Sequence, residues 1–142
     1  MYLVMESDRP DALFRDPYAR KLAGQQGEEI LRTLPKARQF AWPMIVRTSV
    51  MDEIILRAVN RDGADTVINL ASGLDTRAYR LALPKTLRWF DADFPDMVRY
   101  KQEQLAGERP ACQLEYAPVD LTDAAARRAF LQRAAAGAQH AL

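Results

Sequence analysis

The segment Thr66–Leu70 constrains the possible folds of this chain more than any other feature. It is short, rich in β-branched residues and largely apolar, which predicts a strand buried on both faces of a sheet. Two further strands are predicted over Leu87–Asp91 and Gln113–Val119, with helical patterns between the strands. This alternation of strand and helix predicts an α/β fold with a parallel sheet and crossover helices.

A long helix is predicted before the first strand, from Trp42 to Asn60. The apolar residues Val46, Val50, Ile54 and Ala58 recur at every fourth position. Met51, Ile55 and Val59 lie alongside them, so most of this helix is expected to serve packing. Another helix is expected to start at Pro17, with Gly24 and Gly27 as its stops. Further helices are predicted over residues 77–83, 95–107 and 124–136. The chain therefore divides into a helical segment, residues 1–60, and an α/β part, residues 61–142.

The composition excludes several classes of protein. Lys and Arg number 20 and Asp and Glu number 19, so the net charge of +1 lacks the basic excess typical of nucleic-acid binders. No apolar run approaches the ~20 residues that a membrane span needs, and the N-terminus does not resemble a secretory signal. The single Cys112 and the single His140 provide neither an internal disulfide nor a cysteine cluster for a metal. We therefore expect a cytoplasmic protein that binds no metal, nucleic acid or membrane.

Small and acidic residues follow the three predicted strands. The loop Ala71–Gly73 follows the first strand, Asp91 and Asp93 end the second, and Asp120 and Leu121 follow the third. In a doubly wound sheet, ligands bind at the carboxyl ends of the strands. Small side chains let the backbone approach a ligand, and a carboxylate at the second strand can accept hydrogen bonds from ribose hydroxyls. Together these features predict a site for an adenosine-containing cofactor.

The loop chemistry favours S-adenosylmethionine over a nicotinamide dinucleotide. A dinucleotide site expects Gly-x-Gly-x-x-Gly, whereas this loop has the single Gly73, and Asp75 would repel a pyrophosphate. S-adenosylmethionine has no phosphate and carries positive charge, so an acidic loop suits it. Simpler interpretations stay open for each position: Gly73 as a turn residue, Asp91 and Asp93 as solvated charges, and Asp120 as a helix N-cap.

The run from Val67 to Leu81, VINLASGLDTRAYRL, resembles the cofactor loop of the leucine carboxyl methyltransferase family. The likeness is greatest to its bacterial branch of S-adenosylmethionine-dependent O-methyltransferases. Three other segments resemble the family as well: Arg9–Ala19, Trp89–Pro95 followed by Lys101, and Asp120–Leu121. The resemblance implies a Rossmann-like class I methyltransferase fold, S-adenosylmethionine as cofactor, and methyl transfer to a carboxylate or hydroxyl oxygen of a small molecule or protein.

The resemblance also implies roles for individual residues. Arg47 would bind the carboxylate of the methionine moiety, which the backbone around Ala71–Gly73, including Ser72, would line. Asp93 would hold the ribose with support from Asp91. Asn69 would belong to the same site. Asp120 and Leu121 would hold the adenine.

Other positions either depart from the family pattern or are candidates for the acceptor pocket. The family usually has glycine where this chain has Ala71. Tyr18 and Trp42 are candidates for an acceptor pocket, although aromatic residues at helical spacing more often pack in a core. No catalytic base is identified, which agrees with a carboxylate acceptor or with a base outside this sequence.

The length departs from the resemblance, because family members are considerably longer. The sequence stops after the helix that follows the third strand, so we expect only the first half of the cofactor-binding domain. The first strand would then form an edge with unpaired N–H and C=O groups. This leaves open a truncated methyltransferase, a homodimer through the exposed edge, or a non-catalytic remnant that serves as an interaction module. A nicotinamide-dependent oxidoreductase is the weaker alternative.

Overall fold

The computed structural model describes residues 2–33 and 37–142 of the chain. The chain forms two compact units, Met1–Ile54 and Ile55–Leu142. Helix α3 extends from the first unit into the second. The predicted site residues of the loop and strand ends all belong to the second unit, which we call the sheet unit.

The first unit is helical. It contains α1 (Tyr2–Ser7), α2 (Ala19–Thr33) and most of α3 (Ala37–Asn60). Helix α1 was not predicted from the sequence. One of the two predicted stops of α2 is confirmed: at Gly24 the backbone leaves the helical conformation, with φ 54° and ψ −166°, and a kink separates two helical segments. Glycine adopts this positive φ without a side-chain clash. The stop at Gly27 is wrong, because the second segment continues past it to Thr33.

Helix α3 buries only some of the apolar positions that were expected to pack. Val50 and Ile54, expected in the core, are each 46% exposed. Over residues 41–60 of this helix, the buried residues are Ala41, Ile45, Asp52, Ile55, Ala58 and Val59. The packing prediction is thus confirmed for Ile55, Ala58 and Val59 and wrong for Val50 and Ile54. Apolar residues occupy two adjacent faces of the helix, and spacing alone does not say which face meets a neighbour.

The sheet unit confirms the α/β prediction. Its three strands are β1 (Thr66–Leu70), β2 (Arg88–Asp93) and β3 (Gln113–Pro118). They form a parallel sheet in the order β1-β2-β3. Strand β2 is longer than predicted and includes Asp93 as its last residue. The helices of this unit are α4 (Arg77–Arg80), α5 (Pro95–Gln104) and α6 (Ala124–Ala135).

Apolar side chains cover both faces of the sheet. Trp89 and Phe90 are neighbours in β2 and therefore point to opposite faces. Trp89 packs in a cluster with residues that include Val59, Val67 and Leu87. Phe90 packs in a second cluster with Phe130 of α6 and other residues, and their rings meet edge to face. The crossover helices thus bury the sheet as a parallel sheet requires.

The outer edge of β1 is partly covered by the end of the chain. Ile68 N donates to Leu142 O at 2.8 Å, and Leu142 N donates to Thr66 O at 2.9 Å. Thr66 also forms a parallel bridge with Ala141. The expectation of a wholly unpaired edge is therefore wrong for the first half of β1. Burial on both faces is likewise limited to the start of the strand, because Leu70 at its end is 45% exposed.

Over residues 2–33 and 37–142, every helix is too short or too polar to cross a membrane. The same residues contain no cluster of three or more His, Cys, Asp or Glu side chains suited to a metal ion.

Candidate functional site

The segment that follows β1, residues 71–76, turns back across the end of β2. We call it the β1 loop. Ala71 and Gly73 adopt positive φ values of 51° and 49°, which produce the tight turn. Ser72 N donates to Ala92 O at 3.1 Å, and Asp75 N donates to Ser72 O at 2.9 Å. The first of these bonds attaches the loop to β2, and the second closes the turn within the loop.

Asp93 joins the β1 loop to the ends of the other two strands. Its Oδ2 accepts a hydrogen bond from Gly73 N at 2.7 Å, and its Oδ1 accepts one from Phe94 N at 2.7 Å. Its backbone carbonyl accepts from Val119 N at 2.9 Å, one residue before Asp120. The structure therefore brings Gly73, Asp93 and the start of the Asp120 turn to one edge of the sheet, as the strand order predicts.

Asp91 lies deeper in the sheet than Asp93. Its Oδ1 accepts hydrogen bonds from Trp89 Nε1 at 2.8 Å and from Asn69 Nδ2 at 2.9 Å. Its Oδ2 accepts from Lys101 Nζ at 2.6 Å, and both side chains of this ion pair are only 1% exposed. Asp91 is therefore not a solvated loop charge.

Asn69 connects this buried group to the β1 loop. Besides Asp91, its Nδ2 donates to Asp75 Oδ2 at 3.2 Å. Asp75 in turn forms an ion pair with Arg77, at 2.6 Å from Nη1 to Oδ2. Asn69 was assigned to the cofactor site by resemblance alone, and its hydrogen bonds to Asp75 and Asp91 were not predicted.

Asp120 forms a turn and does not cap the following helix. Its Oδ1 accepts from Thr122 N at 2.8 Å and from Thr122 Oγ1 at 2.6 Å. The hydrogen bonds from Thr122 lower the pKa of the Asp120 carboxyl, which is therefore ionised at neutral pH. The N-cap of α6 is Asp123, whose side chain accepts from Ala125 N and Ala126 N. The alternative role of Asp120 as N-cap is therefore wrong.

Leu121 packs beside the cluster that contains Phe90 and Phe130. This contact leaves the residue between buried and exposed, next to the carboxylate of Asp120. An apolar side chain and an ionised carboxylate thus stand side by side after β3.

Three other predicted site residues belong to the first unit. Arg47 and Trp42 are exposed on α3, and Tyr18 is half-buried just before α2. Tyr18 N donates to Asp16 Oδ1 at 3.0 Å, so Asp16 and Pro17 do mark the approach to this helix. The roles of these three residues stay predictions.

The structure also reveals an exposed aromatic residue that the sequence analysis did not single out. Phe94 follows Asp93 directly, and 52% of its surface is exposed. The two large rings of β2, those of Trp89 and Phe90, are buried, so the exposed ring of Phe94 is available for contact with another molecule. In the sequence, the feature that could have identified Phe94 is its position between the acidic strand end at Asp93 and Pro95.

Two side chains of the sheet unit, Cys112 and Tyr116, have raised pKa values and stay protonated at neutral pH. Burial raises the pKa of the Cys112 thiol to about 11. Burial also raises the pKa of Tyr116, as does its hydrogen bond to Tyr79, with 2.8 Å between the two hydroxyl oxygens. Neither group can act as a base at pH 7.

Comparison with known proteins identifies the family. The model of the leucine carboxyl methyltransferase family matches residues 2–140. A relative from Mycobacteroides abscessus is 36% identical over 130 residues, which cover 84% of this chain and 42% of the relative. A relative from Streptomyces coelicolor is 34% identical over 122 residues, covering 79% of this chain and 42% of the relative. The names of both provisionally assign them to the S-adenosyl-L-methionine-dependent methyltransferases.

The chain spans less than half of the length of these relatives. The match nevertheless includes the β1 loop and the ends of all three strands. The chain belongs to the leucine carboxyl methyltransferase family, which uses S-adenosylmethionine.

Proposed function

We propose that the chain supplies the S-adenosylmethionine-binding part of an O-methyltransferase. The observation that carries the proposal is the bond from Gly73 N to Asp93 Oδ2, because it sets the β1 loop against the acidic end of β2. Val119 N on the carbonyl of Asp93 adds the end of β3. Family membership supports the same cofactor and argues against the nicotinamide-dependent alternative.

The groups at this edge fit S-adenosylmethionine in charge and shape. The carboxylates of Asp75, Asp93 and Asp120 suit a cationic ligand and would repel a pyrophosphate. The Arg77 guanidinium beside them is already paired with Asp75. At Gly73 a Cβ atom would meet no heavy atom within 4 Å, so the backbone there is open to a ligand.

Each residue then has a definable role in binding. Each oxygen of Asp93 carries one backbone hydrogen bond and has a further lone pair for a ribose hydroxyl. Asp120 accepts from the adenine amino group, and Leu121 packs on the ring. The backbone of residues 71–73 lines the methionine part. When bound, S-adenosylmethionine supplies a methyl group on an activated sulfonium.

The acceptor that these groups favour is a carboxylate oxygen. Carboxylates are already ionised at neutral pH, so they need no general base. The Cys112 thiol and the Tyr116 hydroxyl have raised pKa values and cannot deprotonate an alcohol. A hydroxyl acceptor would require a base other than these two groups. In either case the protein's task is to align the acceptor oxygen with the methyl group.

Calorimetric titration of the chain with S-adenosylhomocysteine tests the proposal. We expect saturable binding that weakens by about 10- to 150-fold in Asp93→Ala, since a hydrogen bond to a charged group contributes about 1.5–3 kcal/mol. Asp96→Ala is the matched control, because it removes an exposed carboxylate three residues away that pairs with Arg99 on the surface of α5. A folded wild-type sample that does not bind, or equal affinity in Asp93→Ala, would refute the proposal.

The open part of the β1 edge favours a second candidate, a strand-pairing module that forms a homodimer. Among the described residues, the bridge to the chain end is the only pairing on the outer side of β1, and it stops short of Leu70. An unpaired edge can accept a strand from a second copy. Light scattering after size-exclusion chromatography, with and without S-adenosylhomocysteine, distinguishes the two. A dimer that is indifferent to the ligand supports the module, whereas a monomer that binds it supports the methyltransferase.

A further inference from the structure

A continuous line of polar contacts runs from the β1 loop into the interior of the sheet unit. It starts at the Arg77–Asp75 ion pair, passes through Asn69 and ends at the Asp91–Lys101 ion pair. Consecutive donor and acceptor atoms are 2.6, 3.2, 2.9 and 2.6 Å apart. We call these five residues the loop anchor.

The inner end of the loop anchor has no capacity to reach a ligand. Three donors, Trp89 Nε1, Asn69 Nδ2 and Lys101 Nζ, engage the two oxygens of Asp91. The side chains of Asp91 and Lys101 are 1% exposed, whereas Asp93, two residues later at the strand end, is only partly buried. A ribose could bind Asp91 only after this buried network had been broken. The free-energy cost would be large, because a buried ion pair that loses one partner leaves an uncompensated charge.

The charges of the loop anchor explain why an amide stands at position 69. Asp75 and Asp91 are both carboxylates, and each has its own cation on the far side, Arg77 and Lys101. The neutral NH₂ group of Asn69 has two hydrogens and donates one to each carboxylate. A carboxylate here would add a third negative charge, and an apolar side chain would leave the buried Asp91 short of a donor.

The outer end of the loop anchor sets the conformation of the β1 loop. Asp75 accepts from Arg77 N at 2.9 Å through Oδ1, and its own N–H donates to Ser72 O at 2.9 Å. Asn69 holds the same carboxylate from the strand side. The position of Asp75 thus determines the turn that carries Gly73.

We propose that Asn69, Asp91 and Lys101 are positioning residues for the β1 loop. They act through Asp75 on the backbone that lines the cofactor, and they make no contact with the cofactor. Only the expected change in cofactor affinity rests on the proposed function. The effect of these residues on the loop conformation is independent of any ligand.

A double-mutant cycle of Asn69→Ala and Asp75→Ala tests the proposal. Because both substitutions cut the same connection, each is expected to weaken S-adenosylhomocysteine binding by about fivefold or more, and the double variant is expected to be little worse than either. Two independent contacts with the ligand would instead multiply their effects. Arg99→Ala, which removes an exposed ion pair on α5, is the matched control.

Amide hydrogen exchange of the ligand-free chain separates a local effect from general destabilisation. Exchange in residues 71–76 should accelerate in both single variants, while exchange in β2 and β3 stays as in the wild type. Unchanged loop exchange, or multiplicative losses of affinity, would overturn the proposal. If the wild type fails to bind S-adenosylhomocysteine, the proposed function fails, and loop exchange still decides whether the anchor positions the loop. If Asn69→Ala does not fold, Asp75→Ala alone provides the exchange test from the loop side.

Discussion

Replacing Ala71 by glycine should stabilise the protein. Among the described residues, Ala71 is the only one other than glycine with positive φ, at 51°. The left-handed conformation costs an L-residue about 1–2 kcal/mol, and glycine loses about 0.5–1 kcal/mol more backbone entropy on folding than alanine does. The difference predicts that Ala71→Gly raises the free energy of unfolding by about 0.5–1 kcal/mol. For a domain of this size, that corresponds to a rise in Tm of roughly 2–4 °C.

Gly73→Ala is the matched reverse variant. Gly73 has nearly the same φ, 49°, and an added Cβ would meet no heavy atom within 4 Å. Its effect therefore reports backbone strain without a steric clash, and we expect a loss of stability of about the same size as the gain in Ala71→Gly. Urea denaturation followed by circular dichroism measures both. If Ala71→Gly is destabilising while Gly73→Ala is neutral, the argument from backbone strain is refuted.

Two further predictions concern buried groups of the sheet unit. Lys101→Met leaves the Asp91 carboxylate buried without its cation, so we expect the free energy of unfolding, measured by urea denaturation, to fall by about 3–5 kcal/mol. Much of this loss should be recovered in the double variant Asp91→Asn/Lys101→Met. Equal stabilities of the single and double variants would contradict the prediction. The Cys112 thiol has its pKa raised to about 11 by burial, so iodoacetamide should label the folded protein very slowly at pH 8 and rapidly in denaturant, and fast labelling of the folded protein would show that the thiol is accessible.

Local patterns in the sequence were sufficient to place most elements of the sheet unit. Strand β1 lies over Thr66–Leu70 as predicted, and α6 ends within one residue of its predicted end. Apolar runs, Pro95 and Asp123 act on neighbouring residues, so their effect can be recognised without the tertiary structure. The parallel arrangement of the strands followed from the alternation of strand and helix.

The two apolar faces of α3 show where local patterns were insufficient. Val50 and Ile54 are as apolar as Ile55 and Val59, yet only the latter two are buried. The spacing of apolar residues shows which positions are hydrophobic, but it does not show which element packs against them. The pairing of residues 140–142 with β1 was missed for the same reason, because it joins segments more than 70 residues apart.

The sequence by itself determined the α/β class, the loop after β1 and the presence of two carboxylates near the end of β2. Only the tertiary structure decided which carboxylate is open to a ligand. Asp91 and Asp93 are two residues apart and therefore share a face of the strand, so the strand pattern treats them alike. The register that places Asn69 beside Asp91, and the return of α5 with Lys101, bury one carboxylate and leave the other at the edge. These are long-range contacts, and their geometry exists only after the chain has folded.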